Sequence, residues 1–270
     1  MKIYNLARGQ LGNAFFRLFA SICFCITYDG DLIPQFVHIH IPGAIIVNEN
    51  FFKHWSEERL KGRILDIDKD RDYIFTDFYQ HDHIYMHLKN DILSFINHRN
   101  DIILWTHFFE NYPIRQFWIN ETMEKKYDIV FHIRLGDHID IYQCIHPRYL
   151  RDIIDSFDLQ DKKACIVVDK VKTELENEYV RFINVKKIPI ESNDPVKDFL
   201  LMKNAKVLVC SFSTLSWCAA ILSTTLEELF VPDYSIFDHR TFLIPIRNTR
   251  LYPMEFIHKD KLEGLLFSKI

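Results

Sequence analysis

The chain has 270 residues, of which 48% are hydrophobic and 26% charged, and its formal net charge is −4. This balance is typical of a globular protein with one large or two ordinary domains, and the charge argues against a broad nucleic-acid surface. No apolar run approaches 18 residues, so we expect no membrane span, and the N-terminus leads directly into a strand, so we expect no signal peptide. The cysteines form no CxxC pair, and we expect buried, reduced thiols in a cytoplasmic protein.

The first half opens with the order strand, glycine turn and helix, which starts an α/β unit. Residues 3–6 are predicted to be a strand, Gly9-Gln10-Leu11-Gly12-Asn13 a turn, and 14–23 a buried helix. The turn lacks the GxGxxG spacing of a dinucleotide site, but its glycines allow the backbone to approach a ligand and the Asn13 amide can form hydrogen bonds. Between residues 30 and 110, short apolar pieces alternate with charged loops in an order that the sequence does not define.

The second half alternates strands and helices, which predicts a mainly parallel sheet covered on both faces. We predict strands at 128–133, 164–168, 181–185 and 206–210, and helices at 147–155, around 171–179, at 195–204 and at 215–222. The fold class is therefore α/β. We place the domain boundary after the Asn111-Tyr112-Pro113 region, which gives domains 1–120 and 121–270.

The end of the strand at 128–133 carries the most informative motif. His132-x-Arg134 is followed by Gly136-Asp137, so an imidazole, a guanidinium and a carboxylate lie at the sheet edge where open α/β sheets bind ligands. A guanidinium there suits a phosphate, because its planar fork can donate two hydrogen bonds to one phosphate group. Asp137 has two interpretations: a general base, or a carboxylate that pins the turn and pairs with Arg134. His138 and Asp140 are the other candidates for a base.

A second motif, Ser211-Phe212-Ser213-Thr214, lies between a predicted strand and helix. Serine and threonine are good helix N-caps, and a helix N-terminus after a buried strand attracts anions. For an isolated turn, simple capping is the better interpretation. Because this turn belongs to the same predicted sheet as Arg134, however, the two together favour a phosphate site.

These motifs resemble those of the α-1,2-fucosyltransferase family. Gly9–Phe16 is similar to its Gly-x-x-Gly-Asn-x-x-Phe opening, and His132–Asp137 to its His-x-Arg-Arg-Gly-Asp motif, shared in looser form by α-1,6- and protein O-fucosyltransferases. Asp198–Met202 and Ser213–Ala220 resemble its Asp-x-x-Leu-Met and Ser-Ser-Phe-Ser-Trp-Trp-Ala-Ala elements, and Val231-Pro232 its final strand-end proline. The matches keep the family's order and leave only about residues 30–110 unanchored.

Three positions depart from the family pattern. Leu135 replaces the second arginine, Cys218 the second tryptophan, and Val168-Asp169-Lys170 stands in place of Ser-Asp-Asp. One positive charge near a pyrophosphate is therefore missing, and Asp169 alone is left to contact a nucleoside.

The resemblance implies a GT-B-like arrangement of two Rossmann-like domains with an interdomain cleft, the first facing the acceptor and the second binding the nucleotide sugar. It implies inverting transfer of L-fucose from GDP-fucose to a glycan acceptor, at O2 of a galactose-type residue, with no metal or other cofactor. Arg134, Asp137 and Asn13 would be catalytic. The donor would be bound by Gly9, Gly12, Asn13, His132, Arg134, Asp169, Ser213, Thr214 and Ser216, with His132 and Asp169 near the nucleoside and the serine and threonine hydroxyls on the pyrophosphate.

Two alternatives stay open. The departures at Leu135 and around Asp169 fit a GDP-sugar-binding protein without transfer activity. The cluster His81, His83 and His87 would suit a metal-dependent hydrolase, although a surface histidine pair four residues apart is the simpler account.

Overall fold

The computed structural model describes residues 1–6, 10–36, 41–77, 79, 82–99, 101–105, 111–113, 127–140, 144–233 and 248–267. The chain divides into two compact units: unit 1 is Met1–Thr122 with Arg240–Ile244, and unit 2 is Met123–His239 with Pro245–Ile270. The main division, between residues 122 and 123, lies two residues after the boundary predicted between residues 120 and 121. The roles predicted for the two domains stay predictions.

Unit 1 is an α/β structure. Its elements are β1 (Lys2–Leu6), α1 (Leu11–Tyr28), β2 (Asp31–Phe36), β3 (Ile45–Val47), α2 (Glu49–Leu60), β4 (Tyr73–Phe75), α3 (Asp82–His87), α4 (Lys89–Asn97), β5 (Ile103–Trp105) and β6 (Asn111–Pro113). The first four strands form a parallel sheet in the order β2-β1-β4-β3, while β5 and β6 pair antiparallel.

Helix α1 is the core helix of unit 1. It is longer than the predicted 14–23, and Gly12 and Asn13, predicted to lie in a turn, form part of its first turn instead. By length and composition α1 could cross a membrane, but 83% of it is buried inside the protein. Even Arg17 is fully buried, where its Nε donates to the Asp77 carbonyl at 3.1 Å. The apolar character of α1 thus builds the core of unit 1.

Unit 2 contains the second sheet. Its elements are β7 (Ile129–Ile133), α5 (Asp137–Asp140), β8 (Cys144–Ile145), α6 (Pro147–Ser156), β9 (Ala164–Val168), α7 (Glu174–Ile183), β10 (Ile190–Glu191), α8 (Pro195–Lys203), β11 (Val207–Val209), α9 (Thr214–Leu222), β12 (Glu228–Pro232), β13 (Thr249–Tyr252), β14 (Phe256–Ile257) and α10 (Lys259–Phe267). Six strands are parallel in the order β10-β9-β7-β11-β12-β13, and β8 pairs antiparallel with β14. The predicted α/β class with mainly parallel sheets is confirmed.

The strand predicted at 181–185 is wrong. A capping box starts α7 after Thr173: the Thr173 hydroxyl accepts from the Glu176 N–H at 3.2 Å, and Glu176 accepts from the Thr173 N–H at 2.9 Å. The helix therefore runs to Ile183, with Tyr179 and Ile183 buried at helical spacing. The next strand is β10.

The strand order of unit 2 places a topological switch point between β7 and β11. From β7 the chain adds β9 and then β10 on one side, then crosses to add β11, β12 and β13 on the other. Because all these pairs are parallel, the strands end at one edge of the sheet. The crevice beyond the ends of β7 and β11 is where open α/β sheets bind ligands.

Candidate functional site

His132 joins the two strands at the switch point. It lies on β7 with only 2% of its surface exposed, and its Nδ1 is 3.1 Å from the hydroxyl of Ser211, just after β11. Burial, together with the positive charge of Arg134 and the neighbouring His138, lowers the pKa of His132 to about 3. The ring is therefore uncharged at neutral pH and fixes the ends of β7 and β11 relative to each other. The nucleoside contact predicted for His132 stays a prediction.

Arg134, just beyond β7, is held between two carboxylates. Its Nη1 lies 2.8 Å from Oδ2 and 3.0 Å from Oδ1 of Asp169, which follows β9. Its Nη2 lies 2.6 Å from Oδ1 of Asp137, the first residue of α5. The pairing that the sequence allowed for Asp137 is thus present, while its role as a base stays a prediction. The guanidinium is fixed in direction, with 17% of the side chain exposed.

The turn between Arg134 and α5 depends on a glycine. Gly136 has φ +51°, in the left-handed region that a residue with a side chain rarely adopts. The turn lets the His138 N–H donate to the Leu135 carbonyl at 3.0 Å and carries Asp137 back onto Arg134. Leu135 itself is buried, with 1% exposed. The turn therefore presents polar groups on one side and anchors itself in the core on the other.

The segment after β11 forms the capped start of α9. Ser213 is the N-cap, and its hydroxyl accepts from the Leu215 N–H at 3.3 Å. Ser213 and Thr214 are half-buried, whereas Ser216 is fully buried and donates to the Ser213 carbonyl at 3.1 Å. The cap interpretation of this turn is thus observed, and it does not oppose anion binding, since a helix N-terminus attracts negative charge. The ligand contacts predicted for the three hydroxyls stay predictions.

Sequence reasoning left Asp198, on α8, out of the site. It is 6% exposed and accepts hydrogen bonds from the Nδ2 of Asn193 at 3.0 Å and from its backbone N–H at 3.3 Å. Burial raises its pKa to about 6 against the opposing effect of these bonds, and the negative charge of Asp169 adds to the rise. The Asp-x-x-Leu-Met match contained this residue. The effect of the Asp169 charge on the pKa of Asp198 is what associates this residue with the site, and the sequence does not reveal it.

His138 is a second titratable group beside Arg134. Its ring lies 5.8 Å from that of Phe212, and burial followed by the charge of Arg134 lowers its pKa to about 4, with Asp137 opposing. Burial also raises the pKa of Asp169, although Arg134 opposes this. Burial thus disfavours the charged form of both the His138 imidazole and the Asp169 carboxyl.

The structure brings some predicted residues together and leaves others in unit 1. Arg134 directly contacts both Asp137 and Asp169, and the α9 turn is tied to β7 through Ser211. Gly12 is buried and Asn13 half-buried at the start of α1. Gly9 lies outside the described residues.

The residues proposed for a metal site gain no support. His81 and the side chain of His83 lie outside what the structure describes. In the described part of the chain, no group of three His, Cys, Asp or Glu residues is arranged to hold a metal ion. The six cysteines, all of them described and buried, form no disulfide.

Comparison with known proteins gives distant structural likenesses. No protein-family model and no curated protein matches the sequence. A variant of Arabidopsis thaliana FUT1 in complex with GDP is 12% identical, with 85% of this chain and 69% of that chain covered and a TM-score of 0.41. E. coli heptosyltransferase WaaC with ADP is 11% identical over 100% of both chains, with a TM-score of 0.48. WaaC with ADP-2-deoxy-2-fluoro heptose gives 11% identity, coverage of 93% and 92%, and a TM-score of 0.44. With TM-scores below 0.5, these likenesses do not establish the family, donor or reaction of this chain.

Proposed function

We propose that the chain is a glycosyltransferase that uses a nucleotide-diphosphate sugar. The observation that carries the proposal is the guanidinium of Arg134, held in a fixed direction at the switch point of a parallel sheet and in the same crevice as the N-terminus of α9. A guanidinium and a helix N-terminus are two of the groups that proteins use most to bind phosphates. The ligand class that fits such a crevice is a nucleotide or another phosphorylated compound.

The reaction follows from where negative charge develops. When the bond between sugar and phosphate breaks, charge grows on the leaving nucleoside diphosphate, and fixed donors aimed at it stabilise the transition state. Arg134 would supply the positive charge, and Ser213 and Thr214 would supply hydroxyl donors. Losing one donor of this kind lowers kcat by about 10²–10³-fold. These groups supply the stabilisation that a metal provides in other transferases, so we propose metal-independent transfer.

The motif resemblance narrows the donor to GDP-fucose and the reaction to inverting transfer to a hydroxyl of a glycan acceptor, at O2 of a galactose-type residue. In this proposal the fold is GT-B-like and the enzyme works in the cytoplasm. Unit 2 binds the donor, and unit 1 contributes Asn13 and the acceptor contacts. Asp137 remains the proposed base, which requires that it leave Arg134 when the acceptor hydroxyl approaches.

The test is a donor panel with an arginine variant. Purified protein is incubated with GDP- and UDP-sugars, with and without a chelator, and slow donor hydrolysis is followed by nucleotide release. We expect GDP-fucose to be turned over in both conditions, and Arg134→Ala to lower kcat at least about 10²-fold. The matched control is Arg181→Ala, which removes an arginine that is 75% exposed on α7 and paired with Glu178; it should retain turnover.

Each other outcome has a definite meaning. Normal kcat in Arg134→Ala with GDP-fucose would exclude the role given to this residue. GDP binding without turnover of any donor would favour the sugar-binding protein without transfer activity. Activity that the chelator abolishes, with stoichiometric metal in the protein, would favour the metal-dependent hydrolase.

A further inference from the structure

Two carboxylates, Asp137 and Asp169, share the single guanidinium of Arg134. A third carboxyl, that of Asp198 on α8, is 6% exposed, and the charge of Asp169 is one of the causes that raise its pKa. We call Asp137, Asp169 and Asp198 the carboxylate cluster. With all three carboxylates ionised, Arg134 and the carboxylate cluster together carry a net negative charge. This charge opposes the binding of an anionic ligand.

We propose that an anion binds at Arg134 together with a proton taken up by the carboxylate cluster. This rests on the proposed function, because the anion is then the diphosphate of the donor. An ionised carboxylate that remained beside a bound diphosphate would repel it, whereas a protonated one could donate a hydrogen bond to it. Protonation of Asp169 would also weaken its ion pair with Arg134 and make the guanidinium donors available to the phosphate.

Asp198 and Asp169 are the members suited to accept the proton. Asp198 is the more deeply buried, and burial already raises its pKa to about 6, close to neutral pH. Burial also raises the pKa of Asp169 in spite of Arg134. A bound anion adds a like charge nearby, which raises both values further. The two carboxyls are electrostatically coupled, so the proton belongs to the pair rather than to one residue.

Other titratable groups around Arg134 are less suited to this role. The pKa of His132 is lowered to about 3 and that of His138 to about 4, so each needs a larger rise than Asp198 to gain a proton near neutral pH. In the described residues, the titratable groups beside Arg134 or at the same sheet edge include His132 on β7, Asp137 and His138 on α5, Asp169 and the exposed Lys170 after β9, Glu191 at the end of β10, Asp198 on α8, Cys210 after β11 and Asp233 after β12. The charge of Asp194 also raises the pKa of Asp198. Between β11 and α9 the chain runs Cys210-Ser211-Phe212-Ser213, and burial raises the pKa of Cys210 to about 12, so this segment carries no charge near neutral pH.

The experiment counts protons. GDP is titrated into the protein calorimetrically at pH about 6.5 in two buffers of different ionisation enthalpy, and the difference in apparent enthalpy gives the protons taken up per GDP bound. The same measurement is made on Asp198→Asn and Asp169→Asn, which keep a hydrogen-bonding side chain and remove the titrating group. Protons exchanged by GDP itself are common to all proteins and cancel in the comparison. Asp152→Asn, an exposed position on α6, is the matched control.

We expect the wild-type protein and the control to take up roughly half a proton or more per GDP beyond the uptake of the two cluster variants. Correspondingly, the affinity of the wild-type protein for GDP should fall severalfold more than that of Asp198→Asn as pH rises from about 6 to about 8. Equal proton uptake in the wild type and both variants, with GDP bound, would overturn the inference and leave the proposed function standing.

Inorganic pyrophosphate separates the remaining outcomes. If pyrophosphate binds with the extra proton while GDP does not bind, the inference holds for an anion and the nucleotide donor is wrong. If neither binds, both proposals fall. Thermal unfolding of each variant confirms that the compared proteins are folded.

Discussion

At the scale of single residues, Leu135 shows how a position inside a functional motif can belong to the core. It follows Arg134, and the resembling family has a second arginine there, yet its side chain is 1% exposed. The neighbouring Gly136 adopts a left-handed conformation that fixes the direction of the turn. Arg134 therefore carries the positive charge of this turn. The Leu135 side chain packs into the core instead of facing the site.

This predicts that an arginine at position 135 destabilises the protein. Leu135→Arg places a charge among core side chains, and we expect the free energy of unfolding to fall by on the order of 3–5 kcal/mol. Leu135→Met conserves volume and should change it by less than about 1.5 kcal/mol. Urea unfolding followed by circular dichroism measures both. A Leu135→Arg protein of wild-type stability that binds GDP more tightly would show that the position faces the ligand.

The same residues show how far sequence reasoning reaches at this scale. The pair Arg134–Asp137 could be predicted, because its members are only three positions apart with a glycine between them, and local geometry brings them together. The contacts of Arg134 with Asp169 and of His132 with Ser211 could not, since they depend on β9 and β11 flanking β7. Strand order is a non-local property, set by which hydrophobic faces pack, and one sequence does not encode it in a readable pattern.

At the scale of elements, α9 has a capped N-terminus that serves both stability and the proposed site. Ser213 caps it, as Thr173 caps α7 in the same unit. We predict that Ser213→Ala and Thr173→Ala each lower the free energy of unfolding by about 0.5–2 kcal/mol, because each leaves a helix N–H without its side-chain acceptor. Of the two, Ser213→Ala should also weaken GDP binding, which calorimetry measures.

The comparison between these two caps decides what the α9 turn does. Equal losses of stability with unchanged GDP affinity in both variants would mean that Ser213 only caps the N-terminus of α9. A loss of affinity in Thr173→Ala as large as that in Ser213→Ala would point to a general effect of stability on binding.

Element boundaries were predictable where capping chemistry is plain. Pro147 and Pro195 start α6 and α8 at the predicted residues, because proline at the first turn leaves no N–H unsatisfied. The strand expected at 181–185 failed because the capping box at Thr173 shifts α7 along the chain. In residues 30–110, β3, β4 and β5 have three residues each, too few for a hydrophobic period to be recognised.

At the scale of the whole molecule, two histidines with lowered pKa values, His132 and His138, link stability to pH. Burial lowers the pKa of His132 to about 3 and that of His138 to about 4, from an ordinary value of 6.5. Between these limits the unfolded chain binds protons that the folded chain does not, so folding stability rises with pH. Their contribution is fully present above about pH 6.5 and is lost as pH falls toward the folded values. Asp198 acts in the opposite direction, because its raised pKa lets the folded chain bind a proton first.

A single substitution isolates the His132 contribution from these opposing effects. His132→Asn keeps a polar group facing Ser211 but does not titrate, so at pH about 7 the variant should be less stable than the wild type through lost packing. As pH falls to about 4, the wild type loses the stability that comes from a neutral imidazole, and the gap should narrow by on the order of 3 kcal/mol. Urea unfolding at several pH values measures the gap, with the exposed His54→Asn on α2 as control. If the free energies of unfolding of wild type and His132→Asn stay parallel between pH about 7 and about 4, His132 gains its proton in the folded protein as readily as in the unfolded chain. That result would exclude an uncharged His132 ring linking the ends of β7 and β11.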